Sequence, residues 1–234
     1  MIEEDYKNHS NKEVFADIFL AILRYVPVKE NYDEKKYKEE LQQKLKFKRL
    51  NDPDLFRGCV DLLEDTELAL NDYLKYGLGE DRLAEKYLRL YGVLSTIYQQ
   101  IDVIIELVDL FNYPEKNKIT EELKSLEAIK LRNKLGAHTI NYQIDKRKKA
   151  TRENLAFFRL AQSSITGWGE NLLLVSSYDG GENVNLLQLI KDYHAHTDRI
   201  LIEVCRKAID SVFKNKGKSK DWLTDRFNYL EKRI

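Results

Sequence analysis

Residues 81–111 read DRLAEKYLRL YGVLSTIYQQ IDVIIELVDL F, and their periodicity decides the fold. Apolar side chains fall at Leu83, Tyr87, Leu90, Leu94, Ile97, Ile101, Ile104, Val108 and Phe111. The gaps alternate between four and three, which keeps one apolar seam along a helix. A second stripe, Tyr91, Tyr98 and Ile105, widens that face, so the helix is expected at the centre of a bundle, buried on more than one side. Ser95, Gln99, Asp102, Glu106 and Asp109 form its polar face, with Gln100 beside it.

Other helices are read outward from this one. With three prolines and ten glycines in 234 residues, long uninterrupted helices are expected. Asn51-Asp52-Pro53 predicts a helix start, with Asp52 as cap and Pro53 in the first turn, running to about Tyr76 and stopped by Gly77 and Gly79. Thr120-Glu121-Glu122 predicts another, its acids near the positive end of the helix dipole and Gly136 a natural left-handed terminator. The short link from Asn112 to Ile119 predicts that the 81–111 and 120–135 helices pack antiparallel. Helices are also expected over 12–25, 33–50, 185–213 and 221–233. Leu155–Leu160 and Leu172–Tyr178 flank Gly167-Trp168-Gly169, a pattern that suggests a β-hairpin. The fold class expected is mainly α: one helical bundle domain over 1–234, with an N-terminal helical extension to about 50, a small hairpin insertion near 155–178 and C-terminal helices from about 184.

The composition is globular, 43% hydrophobic and 33% charged, and 39 acidic residues balance 39 basic ones. No global charge draws the chain to nucleic acid, so any RNA contact must come from a local patch. No apolar run approaches the roughly 20 residues of a membrane span. The acidic start, Met1 to Asp5, lacks a signal-peptide pattern, and Cys59 and Cys205 sit on apolar stripes without metal spacing. These features lead to the expectation of a cytoplasmic protein with no membrane partner and no cofactor.

Chemistry concentrates in Arg132-Asn133-Lys134-Leu135-Gly136-Ala137-His138, which holds one of only four histidines. An arginine fork grips phosphate through parallel hydrogen bonds, and a histidine exchanges protons near neutral pH. On a straight helix residues six apart point about 240° away from each other. Arg132 and His138 therefore meet only if the helix ends at Gly136 and His138 folds back, or if two subunits converge. The plainer reading pairs Arg132 with Glu127 or Asp102 as a bundle ion pair and leaves His138 as a loop residue.

This segment resembles the signature of the HEPN superfamily, an Arg, usually followed by a polar residue, and a His four to six positions later. Tyr91-Gly92-Val93-Leu94 with Gln99-Gln100-Ile101-Asp102 is similar to the preceding core helix of some members, and the resemblance covers about residues 80–145. It implies a helical bundle and, in many members, a metal-independent endoribonuclease working as a homodimer with both motifs in one cleft. It also implies a setting in toxin–antitoxin pairs, with an antitoxin protein as partner, or in antiviral defence. Arg132, Asn133 and His138 would be the catalytic residues. Asp102, Gln99 and Glu127 are read from the helices as supporting candidates: Asp102 would set Arg132 in position if the central helix lies against the Arg132 helix, and otherwise Asp102 and Gln99 belong to a solvated face. The gap residues Gly136-Ala137 are a less common version of the motif.

Lys146-Arg147-Lys148-Lys149, with Arg152 beyond, forms the densest basic run and is the candidate RNA track, or else a solvated loop. His194-Ala195-His196 is not read as a metal pair, because residues two apart on a helix face different ways. His194 is placed on the apolar stripe and His196 on the polar face. Asp179-Gly180-Gly181 reads as a turn. Two further functions stay open: a non-catalytic interaction module, and a small-molecule bundle lined by Tyr87, Tyr91 and Tyr98.

Overall fold

A computed structural model describes residues 6–24, 33–80, 82–137, 140–145, 147–213 and 217–234. The protein is mainly helical with small antiparallel sheets. In chain order the helices are α1 (Asn11–Arg24), α2 (Glu34–Leu45), α3 (Asp52–Tyr76), α4 (Leu83–Leu110), α5 (Lys116–Lys124), α6 (Glu127–Arg132), α7 (Leu186–Val212) and α8 (Lys218–Glu231). The strands are β1 (Tyr142–Gln143), β2 (Leu155–Ala156), β3 (Phe158–Leu160), β4 (Leu172–Ser176) and β5 (Glu182–Val184). Contacts divide the chain into two compact units. The first holds residues 1–67, 100–123 and 195–234; the second holds 68–99 and 124–194.

The first unit is organised by phenylalanines. Phe19 stacks on Phe111, Phe56 meets both edge-on, and Phe47 closes the group against Phe56 and Phe111. The same unit also buries polar groups. The fully buried Lys12 donates to the Asp198 carboxylate at 2.9 Å, and Asn11 Nδ2 donates to its other oxygen at 2.8 Å. Gln100, read from the sequence as lying beside the polar face, is instead fully buried: its amide donates to Thr66 Oγ1 at 3.1 Å and to Glu67 Oε2 at 3.0 Å. Burying an amide is tolerable where hydrogen bonds satisfy it, which a helical wheel cannot show.

Two helix starts differ in their capping. Asp33 caps α2 through Lys36 N at 2.8 Å. Asp52, expected to cap α3, lies within its first turn and accepts instead from Lys48 N and Arg49 N, so it fastens the preceding turn.

In the second unit α3 ends as the glycines require. Gly77 and Gly79 have φ of 63° and 92°, a region that costs glycine little. There is a second reason for Gly77: a Cβ there would strike the carbonyl oxygen of Gly167. That oxygen accepts from Leu78 N at 2.6 Å, and the Tyr73 hydroxyl donates to Trp168 O, also at 2.6 Å. The Gly167-Trp168-Gly169 stretch is thus a docking point for the end of α3, not only a turn.

The expected hairpin exists, as β3 antiparallel to β4 with Phe158 opposite Ser176 and Leu160 opposite Leu174. Phe158, Leu160, Leu172 and Leu174 are buried while Arg159 and Leu173 face outward, the alternation of a half-buried sheet. It is larger than expected: β5 adds a third strand, with Asp179-Gly180-Gly181 in the connecting turn, and β1 pairs separately with β2. β5 is short, polar and mostly exposed, so no hydrophobic period announces it.

Candidate active site

The helix expected over 120–135 is broken. α5 begins earlier, at Lys116, and ends at Lys124; α6 restarts at Glu127. After Arg132 the chain widens into a π turn, Asn133–Ala137. Gly136 lies inside that turn and has no left-handed φ, so it does not terminate the helix as the sequence suggested. π turns are rare and concentrate at functional sites, because the widened ring redirects the side chains it carries.

The π turn is held from two sides within the second unit. On one side Leu135 is buried, and Leu135 and Gly136 line a pocket of about 350 Å³ with Tyr91, Leu94, Ser95 and Arg132. Arg132 lies beside Tyr98 of α4, and Arg132, Leu135 and Gly136 share the pocket with Tyr91, Leu94 and Ser95 of the same helix. On the other side Lys134 forms an ion pair with Glu182 of β5 and sits 5.0 Å over the Phe158 ring of β3. Tyr142 meets Phe158 edge-on and extends this support.

Arg132 is half-buried and held in two ways. Its guanidinium carbon lies 4.2 Å from the Tyr98 ring centroid, a cation–π contact over the ring. Its Nη1 donates to Asn133 Oδ1 at 3.1 Å. The residue after the arginine therefore helps to orient the arginine itself. Glu127, a sequence candidate for the partner of Arg132, is exposed and pairs with Lys130 at 2.6 Å. Gln99 is exposed on α4. Asp102 is also exposed, in the first unit, whereas Arg132 belongs to the second. His138 and Lys146 lie outside the described residues; His138 follows the last residue of the π turn directly in sequence.

The rest of the basic run is in place. Arg147, Lys148, Lys149 and Arg152 are exposed on the connection between β1 and β2. Arg147 pairs with Asp145 at 3.1 Å, and this neighbour holds the Asp145 carboxyl below its usual range. The buried Asn154 shapes the loop: its amide donates to Asp145 O at 2.8 Å and Lys149 O at 3.0 Å, while its oxygen accepts from Asp145 N at 2.9 Å. Asn154 thus ties Asp145 to Lys149, and among the described residues Arg147, Lys148 and Lys149 are exposed around this tie.

The remaining candidates behave as helix residues. His194 is half-buried and meets Tyr193 edge-on. His196 lies 3.2 Å from Glu122 in the first unit. Among the described residues no group of three His, Cys, Asp or Glu side chains converges as a metal site would. Also among them, no helix is long and apolar enough to cross a membrane. Cys59 and Cys205 are free and buried, and burial pushes both thiol pKa values up, that of Cys59 to about 12.

Glu182 and Asn154 were missed as site-forming residues. Lys134 was read only as part of the motif segment, and Tyr98 only as a member of the second stripe on α4 and a lining residue of the small-molecule alternative. Comparison with family models, with curated proteins and with solved structures finds no match to this chain.

Proposed function

We propose that this chain is a metal-independent endoribonuclease of HEPN type. The observation that carries the reading is Arg132: a guanidinium stacked on Tyr98 and bonded to Asn133, at the edge of an open pocket, one π turn before His138. An arginine serving only as a bundle ion pair would sit on a carboxylate, yet among the described residues its hydrogen-bond partner is a neutral amide.

RNA brings its own nucleophile, the 2′-hydroxyl beside the scissile phosphate. The 2′-oxygen attacks phosphorus, the bond to the 5′-oxygen breaks, and the products are a 2′,3′-cyclic phosphate and a 5′-hydroxyl. Arg132 holds the non-bridging oxygens as charge builds on them. Asn133 and Tyr98 are positioning residues that hold the guanidinium. His138 carries one of the two proton transfers. The basic run Lys146, Arg147, Lys148, Lys149 and Arg152 supplies a track for the RNA backbone. A symmetric homodimer, an antitoxin partner and a role in defence belong to the same proposal and rest on the resemblance of the motif.

The alternative, a non-catalytic interaction module, draws support from the exposed Leu88 and Tyr91 on α4. The test is incubation of purified protein with single-stranded RNA and with DNA of the same sequence, in EDTA. Cleavage of RNA alone, leaving cyclic phosphate ends, is expected. Cleavage that needs added metal, or that proceeds equally on DNA, overturns the mechanism.

A further inference from the structure

The pocket beside Arg132 has an aromatic wall that phosphate chemistry does not use. Tyr91 lines it, and its ring stacks on Tyr87 with centroids 6.0 Å apart and planes 26° from parallel. Tyr87 is half-buried, whereas Tyr91 stays 41% exposed, unusual for a residue on a core-spaced stripe. Along α4, Tyr91 and Tyr98 are seven residues apart, about two turns, so both belong to one side of the helix. One ring carries the guanidinium and the other is open to solvent. Between them Ser95 and Gly136 are small and exposed, and a Cβ on Gly136 would meet nothing within 4 Å. The volume, about 350 Å³, falls in the range of small-molecule sites, roughly 300–1,000 Å³.

We infer that this pocket takes one unpaired nucleobase of single-stranded RNA, stacked on Tyr91, next to the phosphate held by Arg132. The inference rests on the nuclease reading of the same site and adds to it a base-binding platform, Tyr91. Every base has a π face, so a tyrosine platform accepts bases with little preference, while a duplex keeps its bases stacked inside and cannot offer one. A tyrosine phenol is uncharged at neutral pH, so the platform does not repel the phosphodiester.

The experiment measures fluorescence anisotropy of short 2′-O-methyl single strands, which lack the nucleophile and stay intact, with wild-type, Tyr91→Leu and Tyr91→Trp proteins. An abasic strand of equal length and a duplex serve as comparisons, and thermal melting checks the fold of each variant. Tyr91→Leu keeps apolar bulk but no π face, and is expected to weaken binding of the base-bearing strand roughly five- to hundredfold. Tyr91→Trp is expected to bind at least as well as wild type. The abasic strand should bind wild type and Tyr91→Leu alike, and the duplex should bind weakly to both. Unchanged affinity in Tyr91→Leu overturns the inference, as does an equal loss on abasic and base-bearing strands. Loss of a dimer by light scattering without a base-specific loss of affinity also overturns it and assigns Tyr91 to a contact between copies. RNA cleavage that persists with no dependence on Tyr91 removes this inference and leaves the nuclease reading standing. Base-specific binding lost in Tyr91→Leu, with no cleavage by wild type, does the reverse.

Discussion

Lys12 and Asp198 make the most demanding stability prediction, because both charges are out of water. Their side chains are 0% and 6% exposed, with the ammonium 2.9 Å from the carboxylate. Lys12→Met keeps the unbranched stem, one atom shorter, and removes the charge, leaving Asp198 the neutral amide of Asn11 at 2.8 Å. Breaking a buried pair from one side costs about 3–5 kcal/mol, because a buried charge is left without its counter-ion. In a chain of this size each kcal/mol lowers the melting temperature by about 2–4 °C, so a fall of roughly 6–20 °C is expected. Lys12→Met with Asp198→Asn removes both charges and keeps an acceptor for Asn11. The double variant should recover part of the loss, and chemical denaturation of the wild type, both singles and the double closes the cycle. A single-variant loss under about 1 kcal/mol, the range of an exposed pair, would refute the reasoning.

Other expectations follow from separate parts of the structure. Gly77→Ala places a Cβ at φ 63° against Gly167 O and is expected to destabilise by at least about 2 kcal/mol in urea titration, whereas Gly58→Ala, at an open position, should be neutral or slightly stabilising. Cys59 and Cys205 should resist alkylation at pH 8 until the protein unfolds. The folded pKa of Cys59, raised from 9.0 to about 12, gives stability that is complete below pH 9 and declines as pH rises toward 12. Tyr98→Leu removes the stack under Arg132 and is expected to cut RNA turnover several-fold, with Tyr98→Phe restoring it, since the ring face and not the hydroxyl holds the guanidinium.

What was legible in the sequence was periodic. The seam of α4 from Leu90 to Phe111, the glycine stop of α3 and the β3–β4 hairpin between short apolar runs each follow a local rule and are found where the pattern put them, whereas Leu83 and Tyr91, at the start of the helix, are exposed. What was not legible depends on distant partners. Gln100 looks like a surface amide until Thr66 and Glu67 are placed against it. Lys134 looks like a solvated lysine until Glu182, forty-eight residues away, arrives on a strand too short and polar to be foreseen. The π turn is the same case, since Gly136 permits a left-handed stop and nothing local rejects one. Its flanking contacts, Leu135 and Arg132 toward α4 and Lys134 toward β3, accompany the continued turn. For the site, Arg132 and Asn133 were visible as residue types, whereas the hydrogen bond and the ring that orient the arginine were not.

The most direct test of the account is the rate of single-stranded RNA cleavage in EDTA by wild-type, Arg132→Lys and His138→Ala proteins, each shown to melt like the wild type. A lysine offers a point charge where the fork offers parallel donors, so Arg132→Lys is expected to lose on the order of a hundredfold to a thousandfold. His138→Ala is expected to lose cleavage altogether while still binding RNA. Wild-type rates in either variant, or no cleavage by the wild type of any single-stranded RNA, would contradict the claim that this segment is a ribonuclease site.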